Sequence, residues 1–122
     1  MKDQGSEENE ALEMLKAVYD DGQAEIHGRA YELTKTTHKK RRKVFAFFSK
    51  YQKQIFSSDY SFLESEEFEH VEGLINNLVL FKGTLLSRIP DHWEKYPEDY
   101  LLFVTTMLGV ISYPFFRDVV GG

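Results

Sequence analysis

The stretch that decides the fold is Thr37-His38-Lys39-Lys40-Arg41-Arg42-Lys43-Val44-Phe45-Ala46-Phe47-Phe48 and its continuation to Phe56. Val44, Phe48, Tyr51 and Ile55 follow one another at intervals of four, three and four residues, which is the spacing of one helical face. Thr36 or Thr37 can accept a hydrogen bond from the free amides of a first turn, so a helix is predicted from there to about Phe56.

The same helix would begin with a cluster of positive charge from His38 to Lys43, which fans around the helix axis. Each exposed cation near a helix N-terminus costs about 0.3–1 kcal/mol against the helix dipole, so something should compensate for the cluster. Three interpretations stay open. The cluster is a solvated helix end, a contact for an acidic partner or for the acidic flanks of another copy, or a nucleic-acid contact.

The distribution of charge weakens the nucleic-acid interpretation. The net charge is −5, yet residues 27–57 carry nine basic residues and one acidic residue, while both flanking segments are acidic. A protein that binds phosphates normally keeps its positive face unopposed.

Before the central helix, residues 11–19 repeat apolar side chains at helical spacing and predict a short helix. Alternation of apolar and polar residues over 24–34, broken at Gly28, predicts a small hairpin that turns near that glycine.

After the central helix, Ser65 is a candidate N-cap for a helix over about 65–82 that ends at Gly83. Asp91 and Glu94 have the spacing of a capping box, and Pro97 suits the first position of a final buried helix that stops at Tyr113-Pro114. These elements predict a mainly α (α+β) fold, a small helical domain of about four helices with a short β-hairpin near the N-terminal third. The expected organisation is an acidic arm or short helix over 1–21, one globular domain over 22–116 and a flexible tail over 117–122.

Composition and motifs favour a binding protein over an enzyme. The 122 residues suit one domain, and they include no cysteine, no glycine-rich phosphate loop and no paired histidines. The four histidines are expected at the surface or in turns, and Glu66, Glu67, Glu98 and Asp99 are expected to complement helix dipoles. We therefore expect no catalysis, no metal and no cofactor. The acidic N-terminus is unlike a signal peptide and the apolar run 100–111 is too short for a membrane span, so a cytoplasmic location is expected.

Two stretches together carry a resemblance. Gly28-Arg29-Ala30-Tyr31-Glu32-Leu33 leads into Thr37-His38-Lys39-Lys40-Arg41-Arg42-Lys43-Val44-Phe45, and Pro90-Asp91-His92-Trp93 precedes Tyr96-Pro97-Glu98-Asp99-Tyr100. Over about residues 22–116 the chain resembles the tail assembly chaperones of long-tailed bacteriophages.

The resemblance implies a non-enzymatic protein of the bacterial host cytoplasm that binds the tape-measure protein and keeps it soluble during tail assembly. It also implies a longer frameshifted product that recruits the tail-tube subunit, and several copies on one client. We expect partner contacts from the basic cluster and from aromatic residues: Lys39, Lys40, Arg41, Arg42, Lys43, Phe47, Tyr51, Trp93, Phe115 and Phe116. The alternative hypothesis is a small nucleic-acid-binding regulator that uses the basic cluster at 38–43.

Overall fold

The first β-hairpin forms where the alternating pattern predicts it. The computed structural model describes the backbone of residues 3–120 and the side chains of residues 10 and 12–115. Strand β1 (Gln23–Ile26) pairs antiparallel with β2 (Arg29–Leu33), and Ile26 and Arg29 form the closing pair. His27 and Gly28 both have positive φ, 52° and 80°, which is the geometry of a tight type I′ turn.

A second hairpin corrects the predicted helix over 65–82. Helix α3 (Glu66–Asn76) ends at Asn76, and the chain continues into β3 (Val79–Phe81) and β4 (Thr84–Leu85). Gly83 therefore belongs to a turn, where Lys82 and Gly83 have φ of 52° and 82°, the same geometry as the first hairpin. The β-branched and aromatic residues of β3 gain a paired neighbour in β2, and the sheet has the antiparallel order β1-β2-β3-β4.

Helices α2 and α3 begin at the predicted caps. In α2 (His38–Phe56) the Thr37 hydroxyl accepts a hydrogen bond from the amide of Lys40 at 3.2 Å. In α3 the Ser65 hydroxyl accepts from the amide of Phe68 at 3.0 Å, and three glutamates in the first turn complement the helix dipole. Both predictions are confirmed, and a 3₁₀ helix over Tyr60–Glu64 connects the two.

The C-terminal helix differs from its prediction at both ends. Asp91 makes no side-chain capping bond to the short helix α4 (His92–Lys95), and Pro97 begins a 3₁₀ turn that precedes α5 (Tyr100–Val120). The prediction that Pro114 ends the helix is wrong. Contacts on both sides of the proline hold α5 to α2: Arg41 donates to the carbonyl of Ile111, and Phe115 stacks on Phe45. These contacts offset the loss of one backbone bond at the proline.

Helix α1 (Asp3–Asp21) is longer than the predicted 11–19 and packs on α5. The rings of Tyr19 and Tyr113 lie 5.3 Å apart, and Leu15 lies against Gly109. The predicted arm is thus docked along its second half. Helix α5 also continues through most of the predicted tail to Val120, while Gly121 and Gly122 lie outside the described residues.

Helix α5 is central, as predicted, and the fold is mainly helical with a small antiparallel sheet. Helix α5 packs on α2 and α1, and five of its residues share one buried cluster with residues of α2, α3 and the sheet: Phe103, Val104, Met107, Leu108 and Ile111. Within residues 3–120, no helix has the length and apolar character that crossing a membrane requires.

Candidate partner-binding surface

Four of the five predicted basic contact residues are exposed on the first two turns of α2. They are Lys39, Lys40, Arg42 and Lys43. Within the part of the chain whose side chains are described, none of the four forms an ion pair. The first turn of α2 contains no acidic residue, so the helix dipole and the neighbouring like charges both oppose this arrangement.

Arg41 is not available as a surface contact, which corrects its predicted role. Its Nη1 donates to the carbonyl oxygen of Ile111 at 2.9 Å, and its guanidinium lies 5.6 Å from the ring centre of Tyr19. Burial lowers the pKa of this guanidinium from its ordinary value. Arg41 therefore joins α2 to α5 and α1.

A groove of about 590 Å³ lies between α2 and α3 beside the exposed cations. Its lining is mainly apolar. Lys43, Ala46, Phe47 and Lys50 form the α2 wall, and Glu66, Glu67, His70 and Val71 form the α3 wall. Such a groove between two helices can accept the apolar face of a third helix.

One side of α2 carries a regular row next to this groove. Lys39, Lys43, Ala46 and Lys50 are all exposed and follow one another at intervals of four, three and four residues, so they lie along one helical face. We refer to these four residues as the α2 row. The charges of the cluster fan around the axis as predicted, but this subset continues as a line for three turns.

Lys50 and Tyr51 connect the α2 wall to α3. Lys50 Nζ lies 3.0 Å from both carboxylate oxygens of Glu67, and the Tyr51 hydroxyl donates to Oε1 of Glu67 at 2.5 Å. The hydrogen bonds from Tyr51 and Lys50 lower the pKa of Glu67 from its ordinary value. Tyr51 is half-buried and packs against the core.

The predicted aromatic contacts do not form one surface. Phe47 is only 5% exposed and belongs mainly to the core, and it also lines the α2 wall of the groove. Trp93 is half-buried against Phe103, at a ring distance of 4.9 Å. Phe115 stacks on Phe45 at 5.0 Å. The side chain of Phe116 lies outside the described residues, and only its place in α5 is defined.

A buried carboxylate forms the strongest polar cluster, and sequence reasoning missed it. Asp99 was expected only to complement a helix dipole, and its burial, at 0% exposed, was not predicted. Its Oδ1 lies 2.7 Å from Nδ1 of His27, and its Oδ2 accepts from the hydroxyl of Tyr31 at 2.7 Å. Nη1 of Arg29 lies 3.1 and 3.2 Å from the two carboxylate oxygens.

These contacts keep Asp99 ionised. Burial by itself raises the pKa of this carboxyl, but the hydrogen bonds from His27 and Tyr31 and the charge of Arg29 outweigh burial and lower it. His92, predicted at the surface or in a turn, is also buried, and its Nε2 lies 2.8 Å from the Tyr31 hydroxyl. Because that hydroxyl gives its single proton to Asp99, Nε2 of His92 must carry a proton and donate.

The Asp99 cluster has the character of a structural connection. It joins the first hairpin to the start of α5, and Tyr31, its central residue, is 0% exposed. Burial and the hydrogen bond to Asp99 raise the pKa of Tyr31, so the hydroxyl stays protonated. A buried, protonated phenol with both hydrogen-bonding partners occupied offers no group to a substrate.

A second depression, of about 410 Å³, lies on the open face of the sheet. Two cationic side chains line it, Lys82 and Arg29. Arg29 already binds Asp99 and Glu98, and its guanidinium lies 4.1 Å from the ring centre of Tyr96. Glu32 in the wall opposes the charge of Lys82, so the depression has little net charge to attract an anion.

Several large apolar side chains are exposed away from the α2 row. Phe56 is 72% exposed, Met14 50% and Leu102 45%. Phe56 is the last residue of α2, and its ring lies 6.1 Å from that of Phe48. No group of acidic or histidine side chains among the described residues could hold a metal ion.

Comparison with protein-family models, with curated proteins and with solved structures finds no match to this chain.

Proposed function

We propose that the chain is a non-enzymatic tail assembly chaperone that binds the tape-measure protein of a long-tailed bacteriophage and keeps it soluble during tail assembly. The client is taken from the sequence resemblance. The observation that carries the binding role is the set of four exposed cations at the start of α2, which form no ion pair with any described side chain and lie beside a mainly apolar groove.

The mode of binding that fits this surface is a helix laid into the α2–α3 groove. The groove would cover part of the apolar face of a client helix, while Lys39, Arg42 and Lys43 attract acidic residues at its margin. The remaining surface of an acidic chain, with net charge −5, would face water and keep the complex soluble.

The unfavourable position of the cations supports a role in binding. Four exposed charges near a helix N-terminus cost about 1–4 kcal/mol in total if each costs the usual amount. A fold that needed only stability would gain from acidic residues there, as in the first turn of α3. An acidic partner would convert this cost into attraction when it binds.

The experiment is co-expression with the tape-measure protein from the same genome. We expect the client to be soluble only when the chain is co-expressed. The two should then co-purify in a complex with several copies of the chain per client. Changing Lys39, Lys40, Arg42 and Lys43 to Gln should reduce the soluble client. A matched variant with four exposed cations changed elsewhere, at Lys35, Lys82, Arg88 and Lys95, should not. No rescue and no co-purification by the unmodified chain would refute the proposal.

The same exposed cations favour a second candidate, a small nucleic-acid-binding regulator. Two aromatic residues of α2 are poorly placed for stacking on bases, because Phe45 is half-buried under Phe115 and the Tyr51 hydroxyl binds Glu67. Binding of labelled DNA or RNA at about 50 mM salt, with a steep loss of affinity as salt rises, would support this candidate. No binding under those conditions would exclude it.

A further inference from the structure

The outer side of α1 carries an acidic counterpart to the α2 row. Glu10, Met14, Ala17 and Asp21 are all exposed and follow one another at intervals of four, three and four residues. We refer to these four residues as the α1 row. The opposite side of α1 holds Leu15 and packs on α5, so the docked helix keeps the α1 row towards solvent.

The two rows match in length, spacing and chemistry. Each spans eleven residue steps, or about 16 Å of helix at the usual rise per residue. The α1 row has acidic residues at both ends and Met14 and Ala17 in the middle, and the α2 row has lysines at both ends with Ala46 inside. In either relative direction of the two helices, the acidic ends of one row meet lysines of the other.

We propose that the α1 row of one copy of this chain docks on the α2 row of a second copy. With the two helices antiparallel, Asp21 would pair with Lys39, and Glu10 would share Lys50 with Glu67 of the second copy. Met14, which is 50% exposed, would then lie over Ala46 at the mouth of the α2–α3 groove. An unbranched methionine suits such an irregular apolar mouth. Among the described residues the two rows make no ion pair with each other within one chain.

The acidic residues of α3 restrict where the second copy lies. Glu66 and Glu67 line the opposite wall of the groove and would repel the α1 row, although Glu67 is already bound by Lys50 and Tyr51. The docked helix therefore lies on the α2 side of the groove. This position keeps Lys39 and Lys43 within reach of the acidic residues.

The contact is heterologous because the two rows are different surfaces. A docked pair keeps one free α1 row and one free α2 row, so association continues head to tail into an open chain or closes into a ring. Exposed ion pairs contribute little each and are screened by salt, so the association should be weak and lost at high ionic strength.

The test uses two charge-reversal variants of the full chain. The first, Lys39→Glu with Lys43→Glu, makes both rows acidic, and the second, Glu10→Lys with Asp21→Lys, makes both rows basic. We expect the unmodified chain to exceed its 14.3 kDa monomer mass in sedimentation experiments at about 20 mM salt and to return to it at about 500 mM. Each variant alone should associate at least about fivefold more weakly.

The decisive measurement is an equimolar mixture of the two variants. Each variant then supplies the partner row that the other lacks, so the mixture should regain the association of the unmodified chain. The control, Lys82→Glu with Arg88→Glu, changes the net charge as much as the first variant but lies outside both rows, and it should associate normally. Circular dichroism checks that each variant is folded.

Three results would overturn the proposal: a monomer at every concentration in low salt, association that survives both reversals, or a mixture that stays monomeric. None of these results bears on client binding, which co-expression measures separately. If the proposed function also holds, a client helix and a second copy compete for the α2 row, and added client should dissociate the oligomer.

Discussion

Replacing Tyr31 with Phe removes a single oxygen atom from the centre of the buried polar cluster. That oxygen donates to Oδ2 of Asp99 at 2.7 Å and accepts from Nε2 of His92 at 2.8 Å. The ring of Tyr31 stays in the core, where it is 0% exposed, so the substitution leaves apolar packing nearly unchanged. The variant therefore isolates the two hydrogen bonds.

The expected loss of unfolding free energy is about 2–4 kcal/mol. A hydrogen bond to a charged group contributes about 1.5–3 kcal/mol, and one between neutral groups about 1 kcal/mol. The substitution also leaves a buried N–H of His92 without its acceptor and takes one donor from a buried carboxylate. For a domain with a typical stability of 5–15 kcal/mol, the change is a large fraction of the total.

Urea unfolding followed by circular dichroism measures this loss, and two other tyrosines supply controls. Tyr51→Phe removes a more exposed bond to Glu67 and should cost no more than about 1 kcal/mol. Tyr60→Phe, at a ring that is 37% exposed, should change stability by less than about 0.5 kcal/mol. If Tyr31→Phe lowers the unfolding free energy no more than Tyr60→Phe does, the two buried hydrogen bonds of Tyr31 do not stabilise the fold.

Two further predictions concern helix packing and acid. Gly73 and Gly109 both lie inside helices, but their surroundings differ. A methyl group at position 73 would meet nothing within 4 Å, whereas one at position 109 would lie 3.0 Å from both terminal carbons of Leu15. Gly73→Ala should therefore stabilise the fold by about 0.5–1 kcal/mol in urea unfolding, while Gly109→Ala should show no such gain because it pushes α1 from α5. In acid, burial lowers the pKa of His92 and the pKa of Asp99 is also lowered, so the unfolded chain binds more protons than the folded one. The unfolding free energy should be highest above about pH 6.5 and should fall below it as His92 becomes protonated in the unfolded state. It should fall further below about pH 4, where Asp99 becomes protonated in the unfolded state. An unfolding free energy that rises on acidification would contradict the lowered pKa of both groups.

Local signals in the sequence were sufficient for α2, for the start of α3 and for the first hairpin. Thr37 and Ser65 stand directly before apolar residues at helical spacing, and their side chains cap the helices as the pattern predicts. At Gly28 the glycine interrupts a strict two-residue alternation, which indicates a turn. In each case the residues that decide the structure are neighbours in the chain.

The second hairpin and the end of α5 depend on partners far along the chain. Leu78, Val79 and Phe81 continue the helical spacing of α3, so periodicity alone extends that helix, but pairing with β2 draws Val79 and Phe81 into a strand. Pro114 is a strong stop signal in isolation. Phe115 and Ile111 find partners in α2, and these contacts keep the helix intact around the proline.

Only part of the candidate surface was predicted, because some of its residues also depend on partners far along the chain. Lys39 and Lys43 stood out because nothing nearby in sequence neutralises them, and the structure leaves them exposed. Arg41 has the same local surroundings, yet it binds a backbone carbonyl 70 residues away, and no local pattern distinguishes it from its neighbours. The cluster thus contains two kinds of cation: one that consolidates the fold and several that the fold leaves unpaired at a helix N-terminus. Because only the second kind opposes the helix dipole without compensation, its members are the ones whose replacement should alter binding more than stability.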